Sequence, residues 1–221
     1  MLLEVSGLTK SFGQKPIISD ISFTCKTAEI LGVFGKNGSG KSTLLKTIYG
    51  TLNANSINIS IDGKSISPKN IIPSKLISYL PQGSFLPKEL KVRHAIPLFY
   101  KGDKQDKIFY APRVSSFENK KTGQLSMGEL RYLETLLIAH LGHPFLLLDE
   151  PFSMVEPLFK ELIKELFLEL KSKKGIIVTD HYYRDVLEIT DRNFLLREGK
   201  KIDINNTSDL TTNGYLNSED S

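Results

Sequence analysis

Residues 35–43 read Gly-Lys-Asn-Gly-Ser-Gly-Lys-Ser-Thr and meet the phosphate-loop pattern G-x-x-x-x-G-K-[ST] without a mismatch. Glycines at this spacing let the backbone curl until successive N–H groups point inward at a phosphate. Lys41 is placed to reach β- and γ-phosphates, and the Ser42 hydroxyl is a hard oxygen ligand for Mg²⁺. The other reading is a Gly/Ser-rich turn that happens to contain Lys-Ser, and the flanks weigh against it. Residues 29–34 form an apolar run of strand length, and residues 44–50 read as a helix with its N-terminal amides behind the loop. Farther on, Asp149 and Glu150 end a second apolar run. There the first acid can hold Mg²⁺ through water and the second can polarise an attacking water, or both can be plain turn residues. His181 follows a third apolar run and could sense a γ-phosphate, though a lone histidine is as often a surface or core residue. Gln82, in a loop after a short strand, and Phe12, an aromatic able to stack on adenine, are single-residue observations of the same kind.

These residues need elements to hold them. Residues 2–7 alternate like a strand, 9–13 turn away from it, and 17–25 form a second half-buried strand. Residues 57–61 followed by Asp62-Gly63 predict a strand and hairpin turn, and 77–80 a short strand running into Pro81-Gln82-Gly83. From Ser84 to about Lys121 aromatics accumulate among basic residues and prolines: Phe85, Phe99, Tyr100, Phe109, Tyr110 and Phe117. This texture predicts a small, mainly helical lobe inserted into an α/β lobe. Its rings serve as that lobe's own core or, where exposed, as a partner groove. Helices are expected at 129–140, 158–171 and 183–189, and unbroken apolar strands at 145–150 and 175–179. A closing hairpin spans 194–204, and 205–221 reads as a polar, loosely held tail. Strands alternating with helices predict a mainly parallel sheet covered on both faces.

Composition narrows the class. At 221 residues the chain can bury a substantial core, and 40% hydrophobic with 24% charged content is ordinary for a soluble globular protein. The net charge of +4 suits an anionic ligand or an anionic membrane surface and does not by itself imply nucleic acid. One cysteine, Cys25, excludes an internal disulfide and a cysteine zinc cluster, and points to a reducing compartment. No apolar run approaches the roughly 20 residues that span a bilayer, and no leader pattern opens the chain, so a cytoplasmic location is expected.

The order of the motifs carries more than any one of them. An aromatic, the phosphate loop, a loop glutamine, Leu125-Ser126-Met127-Gly128-Glu129, Asp-Glu after four apolar residues, then His resembles the ATP-binding cassette (ABC) ATPases from Leu2 to about Ile204. The resemblance implies an α/β P-loop NTPase of ABC type: a mainly parallel sheet core, an N-terminal antiparallel β part and an inserted helical subdomain. It divides the chain into a RecA-like and β lobe (1–83 and 141–204), a helical subdomain (about 84–140) and a tail (205–221).

The same resemblance implies roles for single residues. Phe12 stacks on adenine, and Gly35, Asn37, Gly38, Ser39, Gly40, Lys41, Ser42 and Thr43 hold the phosphates. Ser42, Gln82 and Asp149 attend Mg²⁺, and Glu150, Gln82 and His181 are catalytic. Residues 151–156 correspond to the D-loop. Ser126 and Gly128 bind the γ-phosphate held by a second cassette, so ATP is the glue between two copies and its hydrolysis separates them. Two departures stand out against the commonest family patterns: Met127 replaces the first glycine of Leu-Ser-Gly-Gly-Gln, and Glu156 replaces the aspartate of Ser-Ala-Leu-Asp. Neither removes a catalytic group.

The expectation is therefore an ATP- and Mg²⁺-dependent ATPase subunit of a transporter. Its partners are a second cassette, as a homodimer, and membrane permease subunits docking near the helical subdomain. It sits peripherally on the inner membrane face, and no nucleic acid is expected. Residues 177–187, with Thr179-Asp180-His181, Arg184 and Leu187, resemble the lipopolysaccharide-export branch, as do Asp149-Glu150-Pro151-Phe152 and Glu156-Pro157; Tyr215-Leu216 resembles both that branch and the related branched-chain amino-acid import branch. The alternatives are a non-transport ABC protein acting on nucleic acid or the ribosome, or an ATP-gated clamp with little turnover. The sequence shows no coiled coil, tandem cassette or long basic arm of the former kind, and Glu150 with His181 argues against the latter.

Overall fold

A computed structural model describes residues 1–216. In chain order the strands are β1 (Leu2–Phe12), β2 (Lys15–Lys26), β3 (Glu29–Phe34), β4 (Ser56–Ile61), β5 (Lys64–Ser65), β6 (Ile77–Leu80), β7 (Phe145–Asp149), β8 (Gly175–Thr179), β9 (Arg192–Arg197) and β10 (Lys200–Ile204). The helices are α1 (Lys41–Tyr49), α2 (Pro68–Ser74), α3 (Val92–Phe99), α4 (Asp106–Phe109), α5 (Val114–Phe117), α6 (Met127–Ala139), α7 (Pro157–Lys171), α8 (Tyr183–Leu187) and α9 (Thr207–Thr212). One sheet is antiparallel, in the order β2-β1-β4-β5; the other runs β10-β9-β3-β8-β7-β6 and is parallel except for β10. The fold class is the α/β one expected from the sequence.

Apart from Glu29 at the start of β3, the three central strands are buried along their length because each serves two cores. Leu31, Val33, Leu147 and Ile177 pack toward α1 and the antiparallel sheet. Ile30, Phe34, Leu146, Leu148, Ile176 and Val178 pack toward α6 and α7. Side chains alternate across a strand, so a strand with an apolar layer on each face reads as an uninterrupted apolar run.

Residues 84–121 are built from short helices, as their texture suggests. Tyr100 and Phe117 are buried, Phe85, Phe99 and Phe109 pack against the core, and Tyr110 is left exposed. Most of the aromatic cluster is therefore core. Two local expectations need correction, and one helix is not legible in the sequence. β1 does not turn away at residue 9; it runs on to Phe12 through register shifts, pairing Phe12 with Lys15 across the hairpin. α2 escapes a pattern reading because its polar, proline-bearing sequence has one buried residue, Ile71. The region from 205 is not loose up to 216. Asn206 and Asp209 form a capping box for α9, Leu210 is fully buried, and Tyr215 packs on Phe34 with ring centroids 5.8 Å apart. The remainder of that tail, 217–221, lies outside the described residues.

Candidate active site

β3 leads into the phosphate loop, β6 into Gln82, β7 into Asp149 and Glu150, and β8 into Asp180 and His181. Strand register brings these ends level: Thr179 lies opposite both Val33 and Asp149, and Leu80 opposite Leu148. The carboxyl edge of a parallel sheet is where such folds place ligands. A cleft of about 580 Å³ opens there, and its lining joins Phe12, residues 37–43, Gln82, Glu150 and His181. Its size suits a nucleotide.

Gly38 and Gly40 have φ of +79° and +104°, a region that residues with a side chain avoid, and through them the loop turns into α1. No side chain caps α1 and no acid sits in its first turn, so its leading amides remain available to an anion. Lys41 is buried, and its ammonium donates to the carbonyls of Gly35 at 2.7 Å and Lys36 at 3.4 Å. Burial lowers its pKa, against the opposing pull of Glu150, Asp149 and Asp180.

Asp149 is wholly buried and held from three sides. Its Oδ1 accepts from Ser42 at 3.0 Å and Thr179 at 3.1 Å, and its Oδ2 from Tyr79 at 2.9 Å. Burial and this carboxylate push the Tyr79 hydroxyl pKa far above its ordinary value. The Ser42–Asp149 pair is a set of hard oxygens beside a phosphate-binding loop, which fits Mg²⁺. Glu150 sits at φ +54°, a strained conformation kept by the hydrogen bond its backbone N–H donates to the Thr179 carbonyl at 2.8 Å. Gln82 Nε2 donates to Glu150 Oε2 at 2.8 Å, and His181 Nδ1 lies 3.7 Å from that oxygen. The next carboxylate, Asp180, is fully buried and accepts the amides of Phe152, His181 and Tyr182. It thereby ties the segment after Glu150 to the one bearing His181. Burial raises the Asp180 pKa, and the amides of Tyr182 and Phe152 work against that rise.

Phe12, half-exposed, presents its ring to the same cleft, with the Lys10 ammonium 4.7 Å from the ring centroid. Ser126 and Gly128 are not in this lining. They open α6, where the Ser126 hydroxyl accepts the Glu129 amide and the Glu129 carboxylate accepts the Ser126 amide. A Cβ added at Gly128 would stand 1.7 Å from a Glu156 carboxylate oxygen. Glycine is what lets that acid lie against the turn. Met127 beside it is exposed.

Reading the sequence alone misses Tyr79, Thr179, Arg131 and Glu134. Thr179 becomes visible only once the register of β7 and β8 is known. For α6 a signal was present: Ser126-x-x-Glu129 is a capping box, which starts the helix at Met127 and puts Arg131 and Glu134 three residues apart on one face.

Fold and cleft together define a P-loop nucleotide-binding protein with an inserted helical subdomain. The chain belongs to the ABC transporter family, which it matches over residues 18–153. Among curated relatives, it is 29% identical to the lipopolysaccharide export system ATP-binding protein LptB of Haemophilus influenzae, covering 91% of this chain and 89% of the relative. It is 31% identical to the Nod factor export ATP-binding protein I of a Rhizobium species, covering 90% of this chain and 69% of that one. Among solved structures, the ATP-binding subunit of an ABC transporter superposes with a TM-score of 0.82 at 22% identity, over 99% of this chain and 95% of that one. Among the described residues no helix is long and apolar enough to cross a membrane.

Proposed function

We propose that this chain is the ATPase subunit of a membrane export system and that it works as a pair of identical copies closing on ATP. Family membership and the two export relatives support the transporter ATPase reading. The observation that carries the hydrolytic reading is the convergence of Lys41, Ser42, Asp149, Gln82, Glu150 and His181 at one sheet edge.

Residues 35–43 and the leading amides of α1 bind the phosphates, and Lys41 exchanges the Gly35 carbonyl for phosphate oxygens. Ser42 and Asp149, with Gln82, would hold Mg²⁺, which would supply positive charge to neutralise the phosphates. Glu150 accepts the proton of the water that attacks the γ-phosphorus. Its carboxylate is oriented by Gln82, so one oxygen is committed and the other faces the water. His181, in the same cleft lining, steadies the γ-phosphate. Ser126 and Gly128 of one copy complete the site of the other, and membrane permease subunits dock near the helical subdomain. Steady-state phosphate release tests this reading. Wild type should turn over ATP only with Mg²⁺ present, and Glu150→Gln should bind ATP without turnover. Normal turnover by Glu150→Gln would refute the base assignment.

A further inference from the structure

The signature turn (residues 125–129) and the hydrolytic pair Gln82–Glu150 lie on different elements, yet one turn of α6 grips both neighbourhoods of that pair. Arg131, 7% exposed, donates Nη1 to the Pro81 carbonyl at 2.6 Å. Its Nη2 donates to the carbonyls of Asp149 at 2.6 Å and Glu150 at 3.1 Å. Glu134, 1% exposed and one turn along, accepts the Ser84 hydroxyl at 2.6 Å and the amides of Phe85 at 2.9 Å and Leu86 at 3.4 Å. Its other oxygen lies 3.9 Å from Arg131 Nη1. The loop bearing Gln82 is thus fixed at both limbs, and the backbone of Glu150 at its carbonyl, by two side chains of the helix that Ser126 and Gly128 begin.

From this geometry we infer that Arg131 and Glu134 are positioning residues for hydrolysis. They set the Gln82–Glu150 contact according to where the first turn of α6 sits. A guanidinium is suited to the task because its planar fork serves separate carbonyls at once, which an ammonium on a single stem cannot. A buried carboxylate with three donors is equally directional. Neither residue lines the cleft, so neither contributes to nucleotide affinity. Their effect falls on the orientation of the base. A contact made by a second copy at Ser126 and Gly128 would reach Glu150 along this rigid path of less than two helical turns.

This inference rests on Glu150 and Gln82 acting as proposed, and the experiment separates the two ideas. ATP turnover, equilibrium binding of a non-hydrolysable ATP analogue and thermal unfolding are measured for Arg131→Lys, Glu134→Gln and Glu150→Gln. Arg131→Lys should lower kcat by about tenfold or more while analogue affinity and KM stay within about twofold. Glu134→Gln keeps the volume and one acceptor oxygen but loses the charge and the second acceptor, which faces Arg131. It should lower kcat by a smaller factor and speed amide exchange at Phe85 and Leu86. An inactive Glu150→Gln beside fully active, folded Arg131→Lys and Glu134→Gln would overturn the inference and leave the base assignment standing. A loss of kcat matched by an equal loss of analogue affinity or of folded protein would also overturn it. If Arg131→Lys does not fold, Glu134→Gln decides by the same criteria.

Discussion

Gln82 Nε2 donates to Glu150 Oε2 across 2.8 Å, joining the loop after β6 to the end of β7. The bond makes a neutral amide the partner of a nearly buried carboxylate. It fixes the carboxylate without neutralising it, which is what a base needs. Gln82→Ala should therefore lower kcat by about ten- to a hundredfold with little change in ATP affinity, because orientation is lost and phosphate contacts are kept. Single-turnover kinetics beside an equilibrium titration checks this.

Tyr79 braces Asp149 from the side away from Ser42. Tyr79→Phe removes one donor to a buried carboxylate and keeps the ring that packs on Tyr49. A hydrogen bond to a charged group contributes about 1.5–3 kcal/mol, so the variant should unfold at a measurably lower urea concentration. An unchanged midpoint would mean that Ser42 and Thr179 alone suffice to hold Asp149.

Phe12 sits at the tip of the β1–β2 hairpin, with Lys10 near its ring. Stacking of a base on an aromatic ring contributes about 1–3 kcal/mol. Phe12→Ala should weaken ATP binding by about tenfold, while Phe12→Tyr keeps the ring and the affinity. Titration of a fluorescent ATP analogue distinguishes the two.

Much of this was legible because the chemistry demands particular residues in a particular order. The phosphate loop, Asp149-Glu150 and His181 each follow an apolar run, and the runs are apolar because β3, β7 and β8 are covered on both faces. The apolar pattern starts the helix after the phosphate loop only at residue 44, because Lys41, Ser42 and Thr43 are polar; the structure starts it at Lys41, where Gly40 turns the chain. Thr179 and Tyr79 could not be assigned to Asp149 from spacing, since only strand pairing brings them to it. α9 was hidden for a different reason: its single buried anchor, Leu210, is too little apolar signal against a polar background.

Lys174 offers a test in pH. Its ammonium is buried against the carbonyls of Leu141 and His143, with no carboxylate among the described residues bonded to it, and burial lowers its pKa from 10.5 to about 8. Between those values the unfolded chain binds the extra proton, so folding gains stability as pH rises through that window. Wild type should become more stable relative to Lys174→Met between about pH 8 and pH 10.5, as followed by denaturant unfolding of both proteins. A constant difference would show that the ammonium titrates normally.

The proposed sharing of the γ-phosphate, between the phosphate loop of one copy and Ser126 and Gly128 of another, requires that ATP hold two copies together. The most direct measurement is the solution mass of Glu150→Gln, by light scattering, with and without excess Mg-ATP and again with Mg-ADP. Twice the monomer mass is expected with Mg-ATP and monomer mass in the other two conditions. Monomer mass in all three conditions, from protein that demonstrably binds ATP, would contradict it.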